Sequence, residues 1–315
     1  MRARFFRLKL AGGNERKDPV MTQTQLQSSA RSSARQKLLA GLPLTERRVR
    51  AGGISTAVLE GGQGREVVFL HGPAANATHW NRVVLGLTHR HRVIVPDLPG
   101  HGASEVSGGR LDVAGVTRWL SELLERTCKS TPVLVGQLMG GAIAARFAIA
   151  HGDRLEALVL IDTFGLVDLQ PAPDFARAVE TFTRTPTPEN HDELWRYCAR
   201  DASRLRQNMG ELWPAFESYN IERARSGAQQ EAMAKLMSWF GVNAIPAADL
   251  ASIRVPTTLI WGRHDLATPV RVAEEASARF GWPLHVIEDA NDDPPVEQPE
   301  AVRAALLATI DARAA

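Results

Sequence analysis

The stretch whose residues come nearest to chemistry is Val133-Leu134-Val135-Gly136-Gln137-Leu138-Met139-Gly140-Gly141, followed by a helical pattern from Ala142 to Ala150. An apolar, β-branched run meets a glycine-bracketed turn, and a helix begins at once. In a G-x-S-x-G sequence this strand, turn and helix present a serine hydroxyl as a nucleophile. Here the central residue is Leu138, which has no lone pair to offer, and no neighbour at the turn is a strong nucleophile. Cys128 and Cys198 lie far apart without metal-type spacing, so buried free thiols in a reducing compartment are expected. No glycine-rich phosphate loop with a following lysine occurs, and no G-x-G-x-x-G follows a strand. No cofactor is expected.

The elements that must position this turn alternate between strand and helix. Gly52-Gly53 separates segments 47–51 and 54–59 as a hairpin, and the strand 67–70 ends in His71-Gly72-Pro73. Helical spacing follows at 78–87, then a strand at 91–96 that closes on Asp97-Leu98-Pro99-Gly100-His101-Gly102-Ala103-Ser104. A helix at 111–126 precedes the strand 132–136, the turn and a helix at 139–151; the segment 155–161, apolar but for Glu156, is another strand. Continuous apolar strands alternating with helices predict a parallel sheet covered on both faces. Between 165 and 248 the pattern is helical only, at 174–184, 190–199, 204–225 and 229–240. Strand 257–261, helix 269–280, strand 282–288 and a helix from Pro299 complete the pattern.

Composition places the chain among ordinary globular proteins, with 44% apolar and 23% charged residues in 315. The net charge of +2 hides an asymmetry: residues 1–50 carry 12 Lys/Arg against 3 Asp/Glu, so the remainder is mildly acidic. That balance argues against nucleic acid as a partner of the folded body. No run approaches the ~18 apolar residues a membrane span needs, so a cytoplasmic protein is expected; the sequence leaves its oligomeric state open. Four segments are expected: a basic, disordered leader over 1–43, a first core part over 44–164, a helical cap over 165–248 and a second core part over 249–315.

These pieces, in this order, resemble the α/β-hydrolase superfamily. The resemblance covers roughly residues 47–313. It rests on His71-Gly72, the loop from Asp97 to Ser104, the turn Gly136–Gly141, Trp261-Gly262-Arg263-His264-Asp265, and the run Asp292-Asp293-Pro294-Pro295-Val296-Glu297-Gln298-Pro299. It implies a mostly parallel central sheet flanked by helices, with a helical cap between the sixth and seventh strands. It also implies a catalytic order of serine, acid, histidine. Asp265 matches the acid. Leu138 stands at the serine position, and Glu297 and Pro299 place Asp292 in the histidine slot. The first oxyanion donor falls on Pro73, which has no N–H; the second is the Met139 amide.

Ordinary ester hydrolysis is therefore not expected. Asp265 and Asp292 are expected to face the old active site, where two close carboxylates cannot both ionise easily and can act as acid and base. Gln137, Met139, Pro73 and Trp80 are expected at the pocket wall, with His71 and His264 as further polar groups. Two or three of the cap aromatics Trp195, Tyr197, Trp213, Phe216, Tyr219, Trp239 and Phe240 should join them. The ligand class is a small hydrophobic molecule. Three readings follow: non-hydrolytic acid/base chemistry of isomerase, lyase or cyclase type, a catalytically inactive binding or partner protein, and a hydrolase with a relocated triad. Candidates for the last are His71, His101 and His264 with Ser104 or Thr163. Zinc binding by the same histidines is not expected, because they lack metal-type local spacing.

Overall fold

The computed structural model describes residues 34–311. The leader's expected disorder over 1–33 lies outside the described residues. Its last part carries a short helix, as the pattern near 34–40 leads one to expect: residues 34–39 form a helical turn with Ala34 and Leu38 buried against the body. Arg35 fastens it there. Its guanidinium pairs with Glu46 at 2.7 Å and Asp97 at 2.9 Å, and donates to the Tyr219 hydroxyl at 3.1 Å.

Nine strands form one sheet: β1 (Thr45–Ala51), β2 (Ile54–Gly61), β3 (Arg65–Leu70), β4 (His91–Pro96), β5 (Glu105–Val106), β6 (Val133–Gln137), β7 (Ala157–Ile161), β8 (Thr257–Gly262) and β9 (Leu284–Ile287). Their order is β1-β2-β4-β3-β6-β7-β8-β9, with the two-residue β5 beside β2. The hairpin edge is antiparallel, and every pairing from β4 through β9 is parallel. Alternate side chains of each central strand enter opposite cores. Val67 and Phe69 of β3 pack with Trp80, Val84 and Leu306 on one face; Val68 and Leu70 pack with Leu120, Met139 and Phe147 on the other. That period of two explains why these strands read as continuous apolar runs.

Strand order reverses between β4-β3 and β3-β6, and a crevice opens at the carboxyl ends of β3 and β6, where open α/β sheets take ligands. The helices between β7 and β8 cover it: Pro173–Arg184, Pro188–Cys198, Ala202–Met209, Trp213–Ala224 and Gly227–Leu236. The expected single helix over 204–225 is two helices. Gly210 takes φ +51°, ending one, and Pro214 occupies the first turn of the next. The expected helix at 78–87 is a 3-10 turn, Ala77–Trp80, followed by Asn81–Leu85. Among the described residues, no helix is long and apolar enough to cross a membrane.

Candidate active site

The turn after β6 places a leucine in a strained backbone conformation. Leu138 sits at φ +47°, ψ −114°, a conformation that costs a bulky residue ~1–3 kcal/mol. Surrounding structure holds it there. Leu138 N–H donates to Ile161 at 2.9 Å, and its carbonyl accepts from Ala142 and Phe164, each at 3.1 Å. Glycine permits the crossing: a Cβ on Gly136 would lie 2.4 Å from the Gly140 carbonyl oxygen, and one on Gly140 2.5 Å from those of His71 and Leu70. The leucine side chain leans over the β3 loop, its Cδ1 3.1 Å from where a Gly72 Cβ would sit. It thus covers the face of the loop on which Pro73 already lacks a donor.

Above Leu138 lies a cavity of about 340 Å³ whose walls are mainly apolar, with Phe164, Phe175, Phe182, Leu194 and Trp195 among them. A wider groove of about 550 Å³ near Arg196 and Glu297 is lined largely by exposed, charged side chains and does not touch the turn. Among the polar groups that line the cavity are Gln137, Asp292, Asp293, His79, Asn220 and His191. Gln137 links the turn to two of them. Its Nε2 donates to Asp293 Oδ1 at 2.9 Å and to the Asp292 carbonyl at 3.2 Å.

Asp292 reaches the cavity, is 5% exposed, and its Oδ1 has no protein hydrogen-bond partner. Burial pushes its carboxyl well above the ordinary range, and the charges of Asp265, Asp293 and Glu297 push the same way. Asp265 lies outside the cavity lining. Its Oδ1 accepts from the amides of Ala267 at 2.7 Å and Thr268 at 2.9 Å, and its Oδ2 from the Thr268 hydroxyl at 2.7 Å. Burial still raises it to about 7, against the pull of these donors and of Asp162. Asp162, fully buried just after β7, is raised well above its usual range by burial and by Asp265.

Several expected pocket groups lie elsewhere. Trp80 is fully buried in the core, its ring 5.0 Å from that of Phe69, because the 3-10 turn aims it inward. The Met139 side chain is likewise core. His71 Nε2 accepts from the Leu98 amide at 2.9 Å and Nδ1 bonds to the Gly72 carbonyl at 2.8 Å, so the ring braces two loops. His264 is exposed. His101 is buried, with Nδ1 3.1 Å from the Pro99 carbonyl. Ser104 and Thr163 hydroxyls are committed to backbone carbonyls. Of the seven cap aromatics expected there, Trp195 lines the cavity, joined by Phe175 and Phe182, which were not expected; Trp239 is exposed, and Phe240 lies in the core. His79, Asn220, His191, Asp293 and Cys198 reach the cavity without having been singled out in the sequence. Cys198 hydrogen-bonds Asp292, and burial raises its thiol well above the usual range, which keeps it un-ionised and a poor nucleophile.

The buried acids set a pH dependence. Asp162, Asp265, Asp292 and Glu297 are all raised in the fold, Asp265 to about 7 and Glu297 to about 8, so folding takes up protons there. Their stabilisation is complete below the unfolded carboxylate value and is lost as pH rises through the folded values. His71, His91, His101 and His191 are all lowered, chiefly by burial, and oppose this only below their ordinary value of 6.5. Tm should therefore fall as pH is raised from about 6.5 to about 8.5. Asp162→Asn, which retains an acceptor for the Gly262 amide, should flatten the fall. A Tm that stays level or rises over this interval contradicts the assignment of neutral buried acids.

Residues 67–305 match the model of the Alpha/beta hydrolase family. The chain is 29% identical over 239 residues to a 2-hydroxy-6-oxo-2,4-heptadienoate hydrolase of Pseudomonas putida, covering 72% of this chain and 82% of that relative. It is 27% identical over 228 residues to a pimeloyl-[acyl-carrier protein] methyl ester esterase of Vibrio vulnificus, covering 68% and 81%. Among solved structures, the 2-hydroxy-6-oxo-6-phenylhexa-2,4-dienoate hydrolase of Rhodococcus sp. strain RHA1 superposes with a TM-score of 0.73 at 22% identity. It covers 85% of this chain and 99% of that one.

Proposed function

Because the chain belongs to the alpha/beta hydrolase family, we propose that it has kept a hydrolase cavity and replaced nucleophilic hydrolysis with proton transfer on a small, largely apolar molecule. One observation carries the reading. Leu138 fills the nucleophile position, while the Asp292 carboxyl, its ionised form disfavoured by burial and its Oδ1 without a protein partner, faces the cavity. A carboxylic acid kept neutral in an apolar pocket can donate to a ligand oxygen as charge develops on it. Asp265 supports this role by electrostatic pressure on Asp292 and does not itself line the cavity. The reaction class is isomerisation, elimination or a related acid/base step without a covalent intermediate. The same reading divides the chain into a core of 44–164 and 249–315 and a cap of 165–248.

The ligand class follows from the walls and from the relatives. Apolar side chains dominate the cavity, and Asp292 is among the polar groups that line it. The Pseudomonas putida relative is named for a hydroxy-oxo-dienoate, a molecule whose oxo group is of the kind a neutral acid addresses. A carbonyl-bearing, mostly hydrophobic molecule fits both.

A fluorophosphonate probe and a panel of p-nitrophenyl esters test the absence of a nucleophile. The protein should remain unlabelled and hydrolyse no ester above the buffer rate. Stoichiometric labelling returns the protein to the serine-type hydrolases with a relocated triad. Native mass spectrometry of the purified protein then identifies a co-purified small molecule. Turnover of that molecule supports the enzyme reading; tight binding without turnover marks a binding protein that has lost its chemistry.

A further inference from the structure

The cavity presents a second proton-carrying unit beside its acid. His79 and Asp293 both line it, with His79 Nδ1 3.5 Å from Asp293 Oδ2. Their elements hold them still. The turn Ala77–Trp80 is capped by Asn76, whose Oδ1 accepts from the Thr78 amide at 3.0 Å, and the Ala77 amide donates to Asp97 at 2.7 Å. The His79 ring packs 4.9 Å from that of Phe216, and Gln137 fixes the other oxygen of Asp293.

A chain of cap residues decides which nitrogen of His79 is already committed. His191 is completely buried, and its imidazole is held neutral, pushed down to about 3 chiefly by burial. Its Nδ1 faces Glu217 at 3.9 Å and its Nε2 faces Asn220 Nδ2 at 3.3 Å. The proton of a neutral His191 belongs on Nδ1 beside the Glu217 carboxyl, which leaves Nε2 to accept from the Asn220 amide nitrogen. Assigned from this network, the amide turns its Oδ1 toward His79 Nε2, at 3.4 Å. Nε2 must then carry a proton and donate it. The nitrogen left to exchange a proton is Nδ1, which has no hydrogen-bond partner and lies 3.5 Å from Asp293 Oδ2.

We propose that the His79–Asp293 pair is the proton acceptor that works against Asp292 in this cavity. The assignment rests on the proton-transfer reading of the site. For a ketone the step balances as follows. A C–H bond α to the carbonyl breaks, its proton passes to His79 Nδ1, and its electron pair forms the C=C bond of an enol. The carbonyl oxygen takes the proton from Asp292, which becomes a carboxylate. Reversal returns both protons, and in heavy water the carbon returns with deuterium.

Uptake of solvent deuterium into 4-phenylcyclohexanone, followed by NMR, tests the assignment. His79→Gln should slow the protein-catalysed uptake by ~100-fold or more, the usual contribution of a positioned base, with the ketone's Kd essentially unchanged. Adding imidazole to His79→Ala should restore part of the rate, which a purely structural role for the ring does not provide. If circular dichroism shows that the His79 variants misfold, Asp293→Asn decides, with a loss of ~10-fold or more expected. A His79→Gln protein that folds and keeps the wild-type rate overturns the assignment alone, as does an unchanged rate in Asp293→Asn. A wild-type protein that gives no uptake overturns the proton-transfer reading and this assignment together.

Discussion

Leu138→Ser combined with Asp292→His should create a p-nitrophenyl butyrate esterase where the wild type has none, with a gain of ~10³-fold over the wild-type rate. The backbone at position 138 already holds φ +47°, ψ −114°, so a serine there is presented without rearrangement, and the smaller side chain uncovers Gly72. The charge of Asp265 acts on position 292, so it favours a protonated histidine there. Complete triads contribute ~10⁶-fold, and loss of one oxyanion donor costs ~10²–10³-fold; Pro73 supplies no such donor, which caps the gain. Adding Pro73→Gly should raise the rate further. Either single change at 138 or 292 should stay near wild type, because nucleophile and base act as a unit. A folded double variant with no esterase activity contradicts the register that equates Leu138 and Asp292 with the nucleophile and histidine positions.

The second large effect is expected at the acid. Asp292→Asn keeps the shape of the side chain and can still donate a hydrogen bond, but it has no proton to transfer. Deuterium uptake into a bound ketone should fall by ~10²–10⁴-fold, the range for a general acid, while affinity for the ketone changes little. Asp265→Asn should have a smaller effect, because Asp265 acts on the ligand only through Asp292 and already accepts from the amides of Ala267 and Thr268. Equal rates in Asp292→Asn and wild type remove Asp292 from the chemistry.

The parts of this molecule that could be read from sequence are those written in local patterns. The apolar runs of β3, β6 and β7, the glycines around Leu138 and the helix-only stretch after β7 each report on neighbouring residues, and periodicity captures such relations. Leu138, Gln137, Pro73 and Asp292 were reachable in the same way, because each occupies a fixed place in a short motif. The rest of the site was not. His79 meets Asn220 141 residues away, and Gln137 meets Asp293 156 residues away, so no local spacing signals either contact. Trp80 shows the opposite failure. It adjoins a cavity residue in sequence, yet the 3-10 turn sends the two side chains to different sides of the structure, one to the cavity and one to the core. The doublet Asp292-Asp293 carried a partial signal, since both carboxyls reach the cavity. Their separate roles depend on neighbours that only the fold supplies.

Everything in this account turns on whether a cavity without a nucleophile moves protons. The most direct measurement incubates the wild-type protein with 4-phenylcyclohexanone in heavy water, following deuterium uptake by NMR and the intact protein by mass spectrometry. The expected result is uptake ~10²-fold or more above buffer, undiminished by fluorophosphonate, with no covalent adduct on the protein. Uptake no faster than in buffer, or an adduct that forms and decays with turnover, contradicts it.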